Sequence, residues 1–159
     1  MTYFLRAVDY RHYAIEQAGK VLADLNYKSW THSRAEVIFP NSHYTFEKDD
    51  FWGSRIKIIK NGMLIGLIKS NWKGQVLIEL KGGFNFPVTF LMRHRGFFNT
   101  RFEVYSEEIP ILNLHAKHAW IRAHYEIELL NVKDLPLPLE ELLGILAFSG
   151  RFHNAMNSG

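Results

Sequence analysis

The histidines in the last third of the chain are the first residues whose spacing suggests chemistry. His115, His118 and His124 lie within the stretch HAKHAWIRAH, and neutral imidazole is the commonest metal ligand in proteins. No acidic residue separates His115 from His118, and the helical H-E-x-x-H motif is absent. The pattern therefore favours solvated histidines of strands and turns. It leaves a metal site at these three residues as the alternative, and it predicts no cofactor.

The carboxylate pairs could perform general acid–base chemistry, which needs two acids in contrasting environments. These pairs are Asp49-Asp50, Glu107-Glu108, Glu126 with Glu128, and Glu140-Glu141. The first two lie in turn-like sequences, and the last pair suits the start of a helix. Ser149 lacks the flanks of a nucleophile elbow, and Gly82-Gly83 is not followed by the Lys-Ser/Thr of a phosphate loop. The sequence therefore predicts a protein that is not an enzyme.

Two basic clusters are the most informative polar features. The first contains Arg55, Lys57 and Lys69, and the second contains Arg93, Arg95 and Arg101 around the aromatic pair Phe97-Phe98. Cations beside aromatic side chains suit an anionic headgroup or a membrane interface. Lysines also protect edge strands against aggregation, which is the alternative for the first cluster. We expect these six cations to be the ligand-binding residues.

The composition is that of one globular domain spanning residues 1–159. Aromatic residues make up 14% of the chain, which favours strands over helices. The net charge of +3 is small for a dedicated nucleic-acid binder. The absence of cysteine excludes disulfides and thiolate metal sites. Charged residues at 6, 9 and 11 interrupt the apolar run that a secretory signal needs. We therefore expect a cytoplasmic protein with no transmembrane span.

The elements that must position these residues are strands from about residue 2 to residue 132. Short runs of alternating or apolar character are separated by turn residues throughout this region. Asn61-Gly62 joins the two halves of the clearest hairpin, because both residues tolerate the positive φ of a tight primed turn. Lys81-Gly82-Gly83 and residues 96–100 predict two further turns. About a dozen such strands predict a mainly β fold, an antiparallel barrel that is closed or nearly closed.

The end of the chain predicts a helix over residues 138–149. Pro138 suits its first turn, Gly150 suits its C-cap, and residues 150–159 are then a short tail. Bulky apolar residues occupy every side of this helix, which therefore cannot lie on a surface. At 1.5 Å per residue it would span about 18 Å, well short of a bilayer. We expect the barrel to enclose it.

The strand-turn-strand RIKIIKNGMLIGLIK and the closing helix LEELLGILAF together resemble the tubby C-terminal, LURP-one and scramblase-like domains. The resemblance covers about residues 2–156 and concerns architecture alone, since no binding motif can be aligned residue by residue. It implies a twelve-stranded barrel around an apolar helix, and a non-enzymatic module that binds phosphoinositide headgroups through basic residues on the barrel wall. The acylation cysteines of the scramblase-like members are missing here.

The functional hypothesis that follows is a binding or interaction module for anionic phospholipid headgroups or for a protein partner. Two alternatives stay open. One is an enzyme or small-ligand barrel in which His115 and His124 face a pocket, and the other is a structural protein that assembles through sheet edges. The sequence leaves the oligomeric state undetermined.

Overall fold

The chain forms a closed barrel of antiparallel strands around one helix. The computed structural model describes residues 2–9, 11–28, 34–49, 55–71, 73–81, 87–95, 101–117 and 124–157. The strands are β1 (Tyr3–Asp9), β2 (His12–Gln17), β3 (Lys20–Tyr27), β4 (Ala35–Ile38), β5 (His43–Lys48), β6 (Arg55–Lys60), β7 (Met63–Ser70), β8 (Gln75–Leu80), β9 (Val88–Arg95), β10 (Arg101–Ser106), β11 (Ile109–Lys117) and β12 (His124–Leu129). The helix is α1 (Leu139–Asn157).

Each strand pairs with the strand that follows it in the sequence, and β1 closes the ring on β12. The predicted closed barrel is therefore confirmed. Among the described strands none has an unpaired edge, because every strand has a neighbour on both sides. This finding removes the route by which free sheet edges would drive assembly.

The shortest turns require residues with positive φ. Asn61 and Gly62 have φ angles of 51° and 83°, and Lys60 pairs with Met63 across them, as predicted. Glu107 and Glu108 have the same conformation, with φ angles of 49° and 68°. The predicted turns at residues 82–83 and 96–100 lie outside the described residues.

Alternation along the strands places one set of side chains in the core. Phe102, Val104, Leu112, Leu114 and Ile127 are all buried, as the period of two predicts. The residues between them face outward, so the outer wall carries the charged side chains.

The helix α1 occupies the interior of the barrel. Leu142, Leu143, Ile145 and Leu146 have no exposed surface, and neither does Phe148, whose ring stacks on Phe46 at 4.5 Å between centroids. A side chain at Gly144 would press against the ring of Phe39, so glycine permits the close approach of helix and wall. The prediction of an enclosed helix is confirmed.

The predicted end of the helix is wrong. The helix begins at Leu139 and continues to Asn157, so it includes most of the stretch that the sequence predicts to be a tail. Gly150 lies inside the helix, where a Cβ would meet side-chain atoms of Met92 and Phe102. Gly150 is therefore an interior residue of the helix that faces β9 and β10, and it is not a C-cap.

The barrel has two distinct ends. At the entry end, where α1 begins, lie the turns at residues 18–19, 39–42, 61–62 and 107–108 and the segment 130–138. At the opposite end, here called the far end, β1 runs into β2 and β7 runs into β8. Because consecutive strands are antiparallel, alternate connections fall at the same end.

Polar contacts fix α1 at the entry end. The Tyr44 hydroxyl donates a hydrogen bond to the Glu141 carboxylate, and Lys60 Nζ lies 2.8 Å from the same carboxylate oxygen. Glu141 is in the first turn of α1, where the helix dipole favours an acid. We call Tyr44, Lys60 and Glu141 the entry latch.

Candidate functional site

The first predicted cluster lies on the outer face of β6 and β7. Arg55 pairs with Lys69, and Lys57 pairs with Leu67. Their neighbours Ile56 and Ile68 are completely buried, so the three cations point away from the core. The structure therefore places Arg55, Lys57 and Lys69 together on the outside of the barrel.

The second predicted cluster lies on the same side of the barrel, on β9 and β10. Arg101 pairs with Arg95, and Arg93 pairs with Glu103. Only β8 separates this cluster from the first one, since β8 pairs with both β7 and β9. We call the outer face of β6–β10 the basic wall. Phe97 and Phe98 lie outside the described residues.

Ion pairs offset part of the charge of the basic wall. Arg95 and Arg101 share Glu103, at 2.6 and 3.9 Å, and the hydrogen bond to Glu103 raises the pKa of Arg95. Two more ion pairs, both on the first cluster, are Arg55 with Asp49 at 3.4 Å and Lys69 with Glu79 at 3.3 Å. These carboxylates come from neighbouring strands and turns. The sequence alone does not show that they lie beside the cations.

Lys57 and Arg93 differ from the other four cations. Neither forms an ion pair with another described residue. The Arg93 guanidinium lies 5.6 Å from the centre of the Tyr105 ring, a cation–π distance. Their charges are the ones most available to a ligand.

An apolar row crosses the basic wall beside these cations. The register aligns Leu77 with Leu91 and Leu91 with Tyr105, and Leu67 lies on the adjacent strand. All four side chains are partly exposed. The sequence analysis did not identify this row, although each member alternates with buried residues in its strand.

A groove of about 470 Å³ lies over the β9–β10 part of the apolar row. It is lined by Thr89, Leu91, Arg93, Tyr105, Glu107 and Glu108.

Charge is segregated between the two ends of the barrel. In the half nearer the far end, the described strands and turns carry eleven cations, Arg11, Lys28, Arg34, Lys48, Arg55, Lys57, Lys69, Lys73, Arg93, Arg95 and Arg101, against seven acids, Asp9, Asp24, Glu36, Glu47, Asp49, Glu103 and Glu126. In the half nearer the entry end, four cations, Lys20, Lys60, Lys81 and Lys133, face eight acids, Glu16, Glu79, Glu107, Glu108, Glu128, Asp134, Glu140 and Glu141. The far end is therefore basic and the entry end acidic.

The entry end also carries the most exposed apolar side chains. They are Val21, Ile38, Met63, Leu64, Ile109 and Leu130, each at least 45% exposed. Ile109 and Leu130 line a second groove, of about 390 Å³, together with Leu135. The two ends of the barrel thus differ in both charge and polarity.

The two described members of the predicted histidine cluster, His115 and His124, do not point into the barrel interior. His115 lies on the outer face, with Nε2 3.3 Å from a Glu128 carboxylate oxygen. Hydrogen bonds from Asn113 and His115 lower the pKa of Glu128. The His124 ring stacks on Phe4 with 5.4 Å between centroids. His118 lies outside the described residues, and within the described part of the chain no group of three potential ligands could hold a metal ion.

His94, which lies between Arg93 and Arg95 of the second basic cluster in the sequence, faces inward. It is on β9 two residues from the buried Met92, and its ring contacts Phe102 edge to face at 5.2 Å. Burial lowers the pKa of His94. The alternation Phe90, Met92, His94 was the available signal, since it places all three on one face.

Comparison with other proteins gives no information about family or function beyond the fold itself. The chain matches no protein-family model, no curated protein and no solved structure. The resemblance to tubby C-terminal domains therefore stays a prediction. Among the described residues, no helix has both the length and the apolar character needed to cross a membrane.

Proposed function

We propose that this protein is a non-enzymatic module that binds anionic phospholipid surfaces through its far end and the adjoining basic wall. One observation carries the proposal, namely the segregation of cations toward one end of a closed barrel. The positive electrostatic field of the far end attracts the protein to an anionic surface and orients it. The far end therefore meets that surface first. The acidic entry end then faces away.

A phospholipid surface suits this arrangement better than a nucleic acid. The far-end cations are distributed over strands from β3 to β10, around much of the circumference, which matches a plane. The apolar row lies beside Lys57 and Arg93, and leucine and tyrosine side chains gain from an interface that is apolar beneath its headgroups. The cytoplasmic leaflet is the anionic one in cells, so the location expected from the sequence fits the same proposal.

The strength of binding follows from the number of cations that reach the surface. Each Lys or Arg near an anionic leaflet contributes about 1 kcal/mol. Cations already held by carboxylates, such as Arg95 and Arg101 on Glu103, contribute less. Lys48, which is exposed, and Lys57, which forms no ion pair with another described residue, therefore contribute most per residue.

Charge reversal at each end tests the proposal. The far-end variant carries Lys48→Glu, Lys57→Glu and Lys73→Glu, and the matched control carries Lys20→Glu, Lys81→Glu and Lys133→Glu at the entry end. Both variants change the net charge equally. Flotation is measured with phosphatidylcholine vesicles that contain or lack phosphatidylserine.

We expect the wild-type protein and the control to float only with the anionic vesicles, and the far-end variant to bind at least a hundredfold more weakly, because it loses three cations worth about 1 kcal/mol each. Equal losses in the two variants would mean that net charge alone is responsible. No binding to anionic vesicles, or tighter binding to a DNA duplex than to vesicles, would overturn the proposal.

A further inference from the structure

The groove on β9 and β10 brings opposite charges to the two sides of an apolar floor. Leu91 and Tyr105 pair across the strands and form the floor. Arg93 lies on the far-end side, and Glu107 and Glu108 lie on the entry-end side in the turn that follows β10. The volume of about 470 Å³ is in the range of small-molecule sites.

Within the described part of the chain, the charges of the groove have no ion-pair partner. Neither glutamate forms an ion pair with another described residue, although most other carboxylates on the outer wall are paired. Arg93 contacts the Tyr105 ring while Glu103, its partner in register, is taken by Arg95 and Arg101. A dipolar ligand would complement both ends of the groove at once.

The distance between the charges sets the length of that ligand. The Arg93 guanidinium is at the level of the Tyr105 ring, and Glu107 follows two residues later, which is about 7 Å along an extended chain. A carboxylate and an ammonium joined by five methylene groups are also separated by about 7 Å when extended. The side chain and carboxylate of a C-terminal lysine have nearly this geometry.

We propose that this groove, here called the zwitterion groove, binds the C-terminal lysine of a peptide or protein. Arg93 binds the carboxylate, Glu107 and Glu108 bind the ε-ammonium, and the methylene groups lie on Leu91 and Tyr105. The proposal goes beyond lipid binding and shares Leu91, Arg93 and Tyr105 with it, but not the two glutamates. Loss of the two glutamates does not weaken vesicle binding, so the two proposals can fail separately.

The probe is 6-aminohexanoic acid, compared with hexanoic acid and hexylamine, which each lack one charge. Binding is measured by NMR titration of the labelled protein. We expect the bifunctional compound to bind about tenfold more tightly than either control, because only it satisfies both ends. The amide shifts should be confined to β9, β10 and the turn at residues 107–108.

Variants and lysine derivatives locate the site and identify the source of the ligand. Arg93→Gln and the double variant Glu107→Gln/Glu108→Gln should each weaken binding of 6-aminohexanoic acid about tenfold. Arg34→Gln, away from the groove, should not. Nα-acetyl-lysine should bind and its carboxamide should not. Free lysine should bind more weakly, because its α-ammonium lies beside Arg93.

Three outcomes would overturn the proposal. These are equal binding of the three six-carbon probes, shifts outside the groove, and unchanged binding by the variants. Should a variant lose its dispersed spectrum, the comparison of probes on the wild-type protein decides alone. Tighter binding of free lysine than of Nα-acetyl-lysine would assign the groove to the amino acid and contradict a C-terminal lysine.

Discussion

Two adjacent glutamates in the left-handed region stand out among the described residues. Glu107 and Glu108 adopt the conformation of a two-residue primed turn, which elsewhere in this barrel is formed by Asn61-Gly62. A residue with a Cβ costs roughly 1–2 kcal/mol there. Strain of this kind is typical of functional positions, and here it holds two carboxylates at the edge of the zwitterion groove.

The double variant Glu107→Asn/Glu108→Gly tests whether the two glutamates lower the stability of the fold while they contribute to ligand binding. It should raise the free energy of unfolding by about 2 kcal/mol, because Asn-Gly suits the turn, and it should weaken binding of 6-aminohexanoic acid about tenfold, as Glu107→Gln/Glu108→Gln does. Urea denaturation and the NMR titration measure the two effects. The reverse exchange, Asn61→Glu/Gly62→Glu, should destabilise by a similar amount. Equal stability of wild type and the Asn-Gly variant would contradict the argument.

At the residue scale, the sequence predicts features that depend on residue type, such as turn conformation. It does not predict contacts that depend on how neighbouring strands align. Asn61-Gly62 was identifiable because both residues favour positive φ. Glu107-Glu108 was predicted to be a turn, but glutamate gives no signal for a left-handed conformation. The six cations were predicted as two separate clusters, and the register of β6–β10 places both clusters on one face of the barrel. Sharing of Glu103 by two arginines depends on strand pairing, which residue types alone do not specify.

At the element scale, the helix shows how packing overrides a local signal. Apolar residues on every side predicted an enclosed helix, and Leu142 to Phe148 are buried as expected. Gly150 predicted the C-cap because glycine is common there. The helix nevertheless continues through Gly150, which is buried and faces the side chains of Met92 and Phe102. A sequence does not show which wall residue faces a glycine, so this boundary could not be predicted.

The entry latch should make the attachment of α1 sensitive to alkaline pH. Burial and the adjacent Glu141 carboxylate raise the pKa of Tyr44 above its ordinary value of 10.0. In the unfolded chain Tyr44 ionises near that value. Its contribution to stability is therefore complete below about pH 10 and is lost as the pH rises further.

Replacing Tyr44 with Phe removes both the hydrogen bond and this pH dependence. We expect Tyr44→Phe to lower the free energy of unfolding by about 2 kcal/mol at pH 7. Its stability should then fall less steeply than that of the wild type between pH 9.5 and 11. Urea denaturation across that range measures both effects. Glu141→Gln should also flatten the decline, because it removes the nearby charge. Parallel curves for all three proteins would contradict the role of Tyr44.

At the scale of the whole molecule, the up-and-down topology turns scattered charges into a polarised barrel. Lys48, Lys73 and Arg93 are far apart in the sequence, yet each is near a connection at the far end. The closed barrel was predictable from alternation and turns. The difference in charge between the two ends was not identified from the sequence. It becomes visible only when the strand order is known, because the strand order shows which connections lie at the same end of the barrel.

The polarised charge predicts how vesicle binding responds to salt. The Debye length falls from about 10 Å at 0.1 M to about 3 Å at 1 M, so the attraction between the far end and an anionic leaflet is screened. We expect flotation of the wild-type protein with phosphatidylserine vesicles to weaken at least tenfold between 0.1 and 0.5 M sodium chloride. Contacts of Leu77, Leu91 and Tyr105 are less sensitive to salt, so some binding should remain.

The two charge-reversal variants show which end produces this salt dependence. The variant with Lys48→Glu, Lys57→Glu and Lys73→Glu should depend on salt much less than the wild type, because it has lost the cations that are screened. The entry-end control, with Lys20→Glu, Lys81→Glu and Lys133→Glu, should keep the wild-type dependence. If the control and the far-end variant lost their salt dependence equally, the barrel would present no preferred end to the membrane. The segregation of charge would then have no part in binding.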